Sequence, residues 1–198
     1  MLISISGIDG CGKTLQVQML DDWMRKQDIN AIVVKAYDDI AKATCRLLMD
    51  HWTDDTAIMF LFQALHAQQY TTAIQALKQG LYVIADRWDE SYLAYHQNFG
   101  FLSSLEQTRT MLNNLAFHEK IPDIGFIITV KPEIARKRRE SRGTIDRFED
   151  RSDEYYSIVQ ETYLSIAQAR GWLILDGTQT PKQIHEEIIR VLQEKICL

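Results

Sequence analysis

Eight residues close to the start of the chain, Gly7-Ile8-Asp9-Gly10-Cys11-Gly12-Lys13-Thr14, follow the spacing G-x-x-x-x-G-K-[ST]. Glycines at 7, 10 and 12 let the main chain adopt dihedrals closed to other residues and turn its N–H groups toward an anion. Lys13 can then neutralise the β and γ oxygens of a polyphosphate, and Thr14 can offer a hydroxyl to Mg²⁺. The helix that follows points its positive end at the same ligand. A glycine-rich turn with a surface lysine is the competing account of such a run. The flanks favour the phosphate loop: Leu2-Ile3-Ser4-Ile5 reads as a short buried strand, and Leu15, Met19 and Trp23 recur on one face of a helix. Binding of a nucleoside triphosphate is the expectation.

Two further groups of residues have the chemistry to serve such a ligand. Asp86-Arg87-Trp88 follows the apolar run Leu81 to Ala85. A carboxylate at a strand end holds Mg²⁺ directly or through water, and an arginine beside it clamps a second phosphate. A structural ion pair between Asp86 and Arg87 is the alternative. The densest positive run is Arg136-Lys137-Arg138-Arg139-Glu140-Ser141-Arg142-Gly143-Thr144-Ile145-Asp146-Arg147. As a solvated helix end it would merely complement the helix dipole. As a lid over about residues 140–150, hinged at Gly143, its arginines would close over a transferring phosphoryl group and exclude water. Not all of these cations can point inward.

The elements that must position these groups are legible as a rhythm. Apolar runs at Leu2 to Ser6, Ala31 to Lys35, Leu81 to Ala85, Ile124 to Val130 and Trp172 to Leu175 alternate with longer periodic segments. That is the βαβ pattern of a parallel sheet covered by helices, in which ligands bind beyond the carboxyl ends of the strands. Thr53 is placed to cap a long helix reaching Leu77, Gly80 to stop it, and Pro132 and Pro181 to stand in first turns. With 198 residues, 46% of them hydrophobic, the chain suits one domain spanning 1–198. A net charge of −5 argues against a general nucleic-acid or membrane-surface binder and toward small-molecule chemistry. Cys11, Cys45 and Cys197 are widely spaced and suggest neither disulfide framework nor zinc site. Met1 to Ser6 runs straight into the loop, so no targeting segment and a cytoplasmic location are expected. No run of about 18 apolar residues is available to span a bilayer.

Taken in order, the blocks 7–16, 83–95, 122–124, 130–135 and 141–149 make a narrower pattern. Gly-Ile-Asp-Gly-Cys-Gly-Lys-Thr-Leu-Gln, Val-Ile-Ala-Asp-Arg-Trp with Ser91, Ala94 and Tyr95, Pro-Asp-Ile, Val-Lys-Pro-Glu-Ile-Ala and Ser-Arg-Gly-Thr-Ile-Asp-Arg-Phe-Glu resemble successive blocks of the thymidylate kinase family. Asp9, at the third position of the loop, is a mark of that family and is not required by the general phosphate loop. Uncharged Cys11 in the loop and a basic lid resemble the bacterial type. The resemblance implies a three-layer P-loop fold with a five-stranded parallel sheet, and transfer of the γ-phosphoryl of ATP to dTMP. On it, Gly7, Gly10, Cys11, Gly12, Lys13, Thr14 and Leu15 would hold ATP, with Thr14 and Asp86 supporting Mg²⁺. Arg138, Arg142 and Thr178 would lie on the adenine and lid side, and Lys13, Asp9, Arg87, Arg142 and Arg147 would carry the transfer. Asp9, Arg46, Phe62, His66, Arg87, Ser91 and Tyr95 would receive the acceptor. Phe62 would stack on the base, although in Phe60-Leu61-Phe62 it could equally be core. Tyr95 would pack beside the deoxyribose. The resemblance further implies a homodimer, for which the apolar run Ile58 to Phe62 is a candidate surface, a buried helix giving the same pattern.

The chain departs from the family pattern on the acceptor side alone. After the second strand it has Ala36-Tyr37-Asp38-Asp39 in place of Arg-Glu-Pro-Gly, His66 where an arginine reads the base, and His96 where glutamine is common. A histidine donates a hydrogen bond more weakly than arginine and in a manner set by its protonation state. Another nucleoside monophosphate or a nucleoside as acceptor, and a nucleotide-binding protein without transfer, are the alternatives. A GTP-dependent switch would bring an N-K-x-D motif, which the sequence lacks. Cys11 lies near a helix N-terminus, where a thiol pKa can fall.

Overall fold

The computed structural model describes residues 1–36, 41, 45, 48, 51, 52, 54–143 and 150–196. Five strands, β1 (Leu2–Ser6), β2 (Ala31–Lys35), β3 (Tyr82–Asp86), β4 (Ile124–Thr129) and β5 (Leu173–Asp176), form one sheet in the order β2-β3-β1-β4-β5. Every pairing is parallel. Among the described residues the bounded α-helices are α1 (Lys13–Lys26), α2 (Asp55–Lys78), α3 (Asp89–His96), α4 (Glu106–Phe117), α5 (Pro132–Ser141), α6 (Asp153–Arg170) and α7 (Pro181–Ile196). Helices α1 and α7 pack together on one side of the sheet, while α2, α4, α3 and α6 make a continuous run of contacts over the other. The result is the three-layer α/β arrangement. Strand β1 sits at the centre with all five residues buried, because β3 and β4 flank it and helices cover both faces.

Two strands start one residue later than the apolar runs suggest, for the same reason. Gly80 and Gly171 adopt left-handed φ of 79° and 64° and end their helices. The next residue then spends its N–H on the helix: Leu81 donates to the Ala76 carbonyl at 3.1 Å and Trp172 to the Ala167 carbonyl at 2.8 Å. At the other end of α2, Asp54 is the cap, its carboxylate accepting from the N–H groups of Thr56 at 2.8 Å and Ala57 at 3.0 Å. Thr53 lies outside the described residues. Pro132 and Pro181 stand in the first turns of α5 and α7 as expected, and Thr180 with Gln183 forms a capping box on α7.

The buried stripe of α1 is Val17, Leu20 and Met24, not Leu15, Met19 and Trp23. Leu15 is 47% exposed in the first turn, and Met19 and Trp23 lie at the margin of the core. All of these residues are compatible with the helical period; α7, packed alongside, decides which stripe is covered. The main apolar cluster joins α1, α6 and α7 to β1, β4 and β5, while a second joins α2, α3 and α4 to β2 and β3. Among the described residues no helix is long and apolar enough to cross a membrane.

Candidate functional site

Strand β1 delivers the chain into the glycine loop at the centre of the sheet. Gly7 and Gly10 have φ of 146° and 92°, and a Cβ on either would stand 2.3 Å from a backbone oxygen, of Ile128 and Ala135 respectively. Glycine is therefore required at both by dihedral and by space. Gly12 caps α1 in a left-handed conformation, and Lys13 and Thr14 form the first turn. The loop, pressed against β4 and α5, presents the N-terminus of α1 to whatever lies above it. Thr14 Oγ1 donates to Asp86 Oδ2 at 3.2 Å. A hydroxyl and a carboxylate so close together are oxygen donors of the kind Mg²⁺ takes, usually alongside phosphate oxygens and water, so the residues present fit that ion.

Asp86 and Arg87 do not form the structural ion pair that their adjacency allows. The Arg87 guanidinium pairs with Asp9 Oδ1 at 2.6 Å, and the same oxygen accepts from Lys13 Nζ at 3.1 Å. Tyr95 donates to the other carboxylate oxygen at 2.8 Å. Asp9 thus joins the loop lysine to the strand-end arginine. Burial pushes its pKa up, but Arg87 and Lys13 outweigh burial and hold the carboxyl well below the usual range. Burial also tends to lower the Arg87 pKa, yet Asp9 and the hydroxyls of Tyr163 and Tyr95 keep the guanidinium firmly protonated.

The basic run divides. Arg136 faces outward to Asp153 and Glu140, and Lys137 is exposed, so these two fit the solvated helix end. Arg138 and Arg139 point inward. Arg138 donates to the carbonyls of Cys11 at 3.3 Å and Gly177 at 3.0 Å, tying the phosphate loop to the turn after β5. Arg139 is 1% exposed, donates to the Asp9 carbonyl at 2.6 Å and lies over the Tyr156 ring at 4.1 Å. Arg142 is exposed at the end of α5, and Gly143 follows with φ 79°. Arg147 and the rest of the expected lid, residues 144–149, lie outside the described residues. Thr178 is exposed and is held by Asp176 through both its N–H and its hydroxyl. Gly177 approaches so closely that a Cβ there would meet the Cys11 carbonyl at 3.1 Å. Cys11 is 1% exposed, and burial pushes its thiol pKa up despite Lys13 and the nearby helix terminus.

On the other side of Asp9 the residues come from α2, α3 and α4. Phe62 is half-buried beside Cys45, Ile58, Leu61 and Leu65. His66, one turn on, is 8% exposed with its ring 5.1 Å from that of Phe117. Burial lowers its pKa to about 4, helped by nearby His96 and Arg87. His96 packs on Tyr92 with ring centroids 4.7 Å apart, and burial with Arg109 lowers its pKa to about 4 as well. The two histidines among the departures from the family pattern are therefore neutral imidazoles at neutral pH. Ser91 is 4% exposed and faces inward, accepting from Tyr163 at 2.7 Å and lying 3.5 Å from Arg87 Nη1. Arg46 and Tyr37 to Asp39 lie outside the described residues.

Several members of this assembly escape sequence reasoning. Glu90, 0% exposed, accepts from Ser4 at 2.7 Å, from Ser6 and from the Trp88 N–H at 2.9 Å. A serine at every second position of an otherwise apolar central strand was the available signal, since such strands normally read as continuous apolar runs. Arg139 was hidden in a charge run. Tyr163 and Gln69 left no signal at all, being interior positions of long helices.

Across residues 5–188 the chain matches the family model described as thymidylate kinase. It is 34% identical over 195 residues to a thymidylate kinase of Fervidobacterium nodosum, covering 96% of this chain and 98% of that one. A thymidylate kinase of Chlorobium chlorochromatii is 32% identical over 216 residues, covering 100% and 96%. One from Thermoanaerobacter sp. is 29% identical over 199 residues, covering 97% of each. A family-model match over residues 5–188, with relatives 34% and 32% identical over nearly the whole of both chains, shows that the chain belongs to the thymidylate kinase family.

Proposed function

We propose that this protein transfers the γ-phosphoryl group of ATP to dTMP, giving ADP and dTDP. The observation that carries the reading is the single oxygen of Asp9 shared by Lys13 and Arg87. It sets a cation of the donor loop beside a cation at the adjacent strand end, so two phosphates held by them would lie next to one another. An oxygen of the acceptor phosphate forms the new P–O bond as the bond from the γ-phosphorus to the β–γ bridging oxygen breaks. The acceptor is already anionic at neutral pH, so no base is required and catalysis rests on position and charge.

The loop N–H groups from Gly7 to Leu15 and Lys13 hold the donor, with Arg138 and Thr178 toward the adenine. Arg87 clamps the acceptor phosphate with Arg46, while Phe62, His66, Ser91 and Tyr95 form the nucleoside side. Arg142 and Arg147 supply positive charge to the equatorial oxygens. Mg²⁺, held by Thr14 and Asp86, would offset charge on the β and γ oxygens. The same reading includes a homodimer, supported by exposed Phe60 on α2 and Met111 and Leu115 on α4, and a cytoplasmic location, in keeping with Cys11 and Cys45 standing outside any disulfide.

A panel of nucleoside monophosphates and nucleosides, assayed with ATP and Mg²⁺ by coupled ADP release, tests the assignment. dTMP is expected to give the highest kcat/KM, and Lys13→Ala to lose on the order of 10²-fold or more. A different acceptor with far higher kcat/KM would remove dTMP, and ATP binding with no transfer to any acceptor would remove the enzyme.

A further inference from the structure

Arg87 is a non-glycine residue with φ 73°, a conformation that persists only where the surroundings over-determine it. The main chain is fixed first. Its N–H donates to the Ile5 carbonyl at 3.3 Å, and its carbonyl accepts from the Gln69 side chain of α2 at 2.8 Å. Gln69 is 2% exposed. The guanidinium is fixed next, from two sides. One amino group, Nη2, donates to Asp9 at 2.6 Å and more distantly to the Tyr95 hydroxyl at 3.4 Å; the other, Nη1, donates to the Tyr163 hydroxyl at 2.6 Å and lies 3.5 Å from Ser91 Oγ. Tyr163, 0% exposed on α6, donates its own hydrogen bond to Ser91 Oγ at 2.7 Å.

This arrangement is asymmetric in a useful way. The Asp9 pair alone would let the guanidinium swing about that contact, because one end-on bond does not set the plane of the group. The Tyr163 hydroxyl sets the plane. It also accepts without bringing negative charge: burial pushes its pKa up, so it stays a neutral phenol and leaves the guanidinium's charge for an anion. We propose that Tyr163 is a positioning residue for acceptor-phosphate binding, orienting Arg87 through its hydroxyl while Gln69 anchors the Arg87 main chain. The inference rests on the reading of Arg87 as the acceptor-phosphate clamp.

The test compares two ligands that differ only in the phosphate, dTMP and thymidine, by calorimetric titration of the intact protein and of Tyr163→Phe, Arg87→Ala and the double variant. For Tyr163→Phe, dTMP affinity and kcat/KM for dTMP are expected to fall about 10-fold, the size of one lost hydrogen bond to a charged group. Thymidine affinity and KM for ATP should stay within about 2-fold, since neither meets Arg87. Adding Tyr163→Phe to Arg87→Ala should cost nothing further. Equal losses for dTMP and thymidine, no loss for either, or additive losses in the double variant would overturn the role of Tyr163. If Arg87→Ala leaves the ratio of dTMP to thymidine affinity unchanged, the clamp reading itself fails and takes the inference with it. Should Tyr163→Phe fold poorly by thermal melt, Gln69→Leu, which removes the other anchor of Arg87, must lower dTMP affinity while sparing thymidine, and a loss shared by both ligands overturns the proposal.

Discussion

His66 makes the stability of this protein depend on acid in a way that can be calculated beforehand. Its imidazole is packed against Phe117 and has His96, Arg87 and Gln69 as its polar neighbours. Its pKa is lowered from 6.5 to about 4, burial being the largest cause. The unfolded chain therefore takes up the proton before the folded one does. The stabilisation is fully present above pH 6.5 and is lost as the pH falls toward 4. Going from about pH 7.5 to about pH 5 protonates most of the unfolded population and little of the folded, which costs roughly 2 kcal/mol for this one group. Chemical denaturation with urea at those two pH values, on the parent protein and on His66→Leu, isolates the contribution. The variant should lose about 2 kcal/mol less over the interval, with the urea slope unchanged. His96, with a pKa also lowered to about 4, should leave a residual acid sensitivity of similar sign. An equal loss in parent and variant, or an NMR titration placing His66 at or above 6.5, would refute the burial argument.

Other substitutions probe separate features. Gly125→Ala on β4 would set a methyl 1.9 Å from Cδ2 of the Trp172 ring and should lower stability by about 1–3 kcal/mol, seen as a fall in Tm without selective loss of either substrate. Asp54→Ala removes the cap of α2 and should lower the midpoint of urea denaturation, with Asp54→Ser recovering most of the loss. Arg170→Met strands Asp89, which is 4% exposed and forms a two-contact ion pair with Arg170, and should cost about 3–5 kcal/mol. Adding Asp89→Asn to that variant should restore part of the loss in the same measurement.

The phosphate loop was legible because its chemistry is local: spacing, glycine and lysine suffice, and the preceding strand needs only a few apolar residues. The strand-end position of Asp86 and Arg87 was legible for a topological reason, since parallel strands deliver their carboxyl ends to one edge. Which carboxylate Arg87 would pair with was not. Asp9 lies 78 positions away in sequence, and the Arg87–Asp9 contact exists only because β1 and β3 are neighbours in the sheet. Arg139 and Tyr163 were less legible still, as each acts through a contact with a distant segment that no local period encodes. Within the basic run, sequence could say only that the cations must divide. Burial of α5 against α6 and the loop decides which of them turn inward. The stripe of α1 and the cap of α2 were each misplaced by a residue or so, where neighbouring positions satisfy the local rules equally well and packing chooses.

The register at the centre of the sheet bears on how the protein would lose activity. Ile5 stands opposite Asp86 and Ser6 opposite Ile127, so the glycine loop leaves the sheet from its most enclosed strand, beside the carboxylate that ends β3. The amides of β1 cannot reach solvent through fraying of an edge, and their hydrogen exchange is governed by opening of the whole sheet. The floor of the site thus shares the fate of the fold, while the helices proposed above to receive the acceptor pack on the β2 and β3 half of the sheet. Gradual heating would first blunt discrimination among acceptors and abolish ATP binding only with global unfolding.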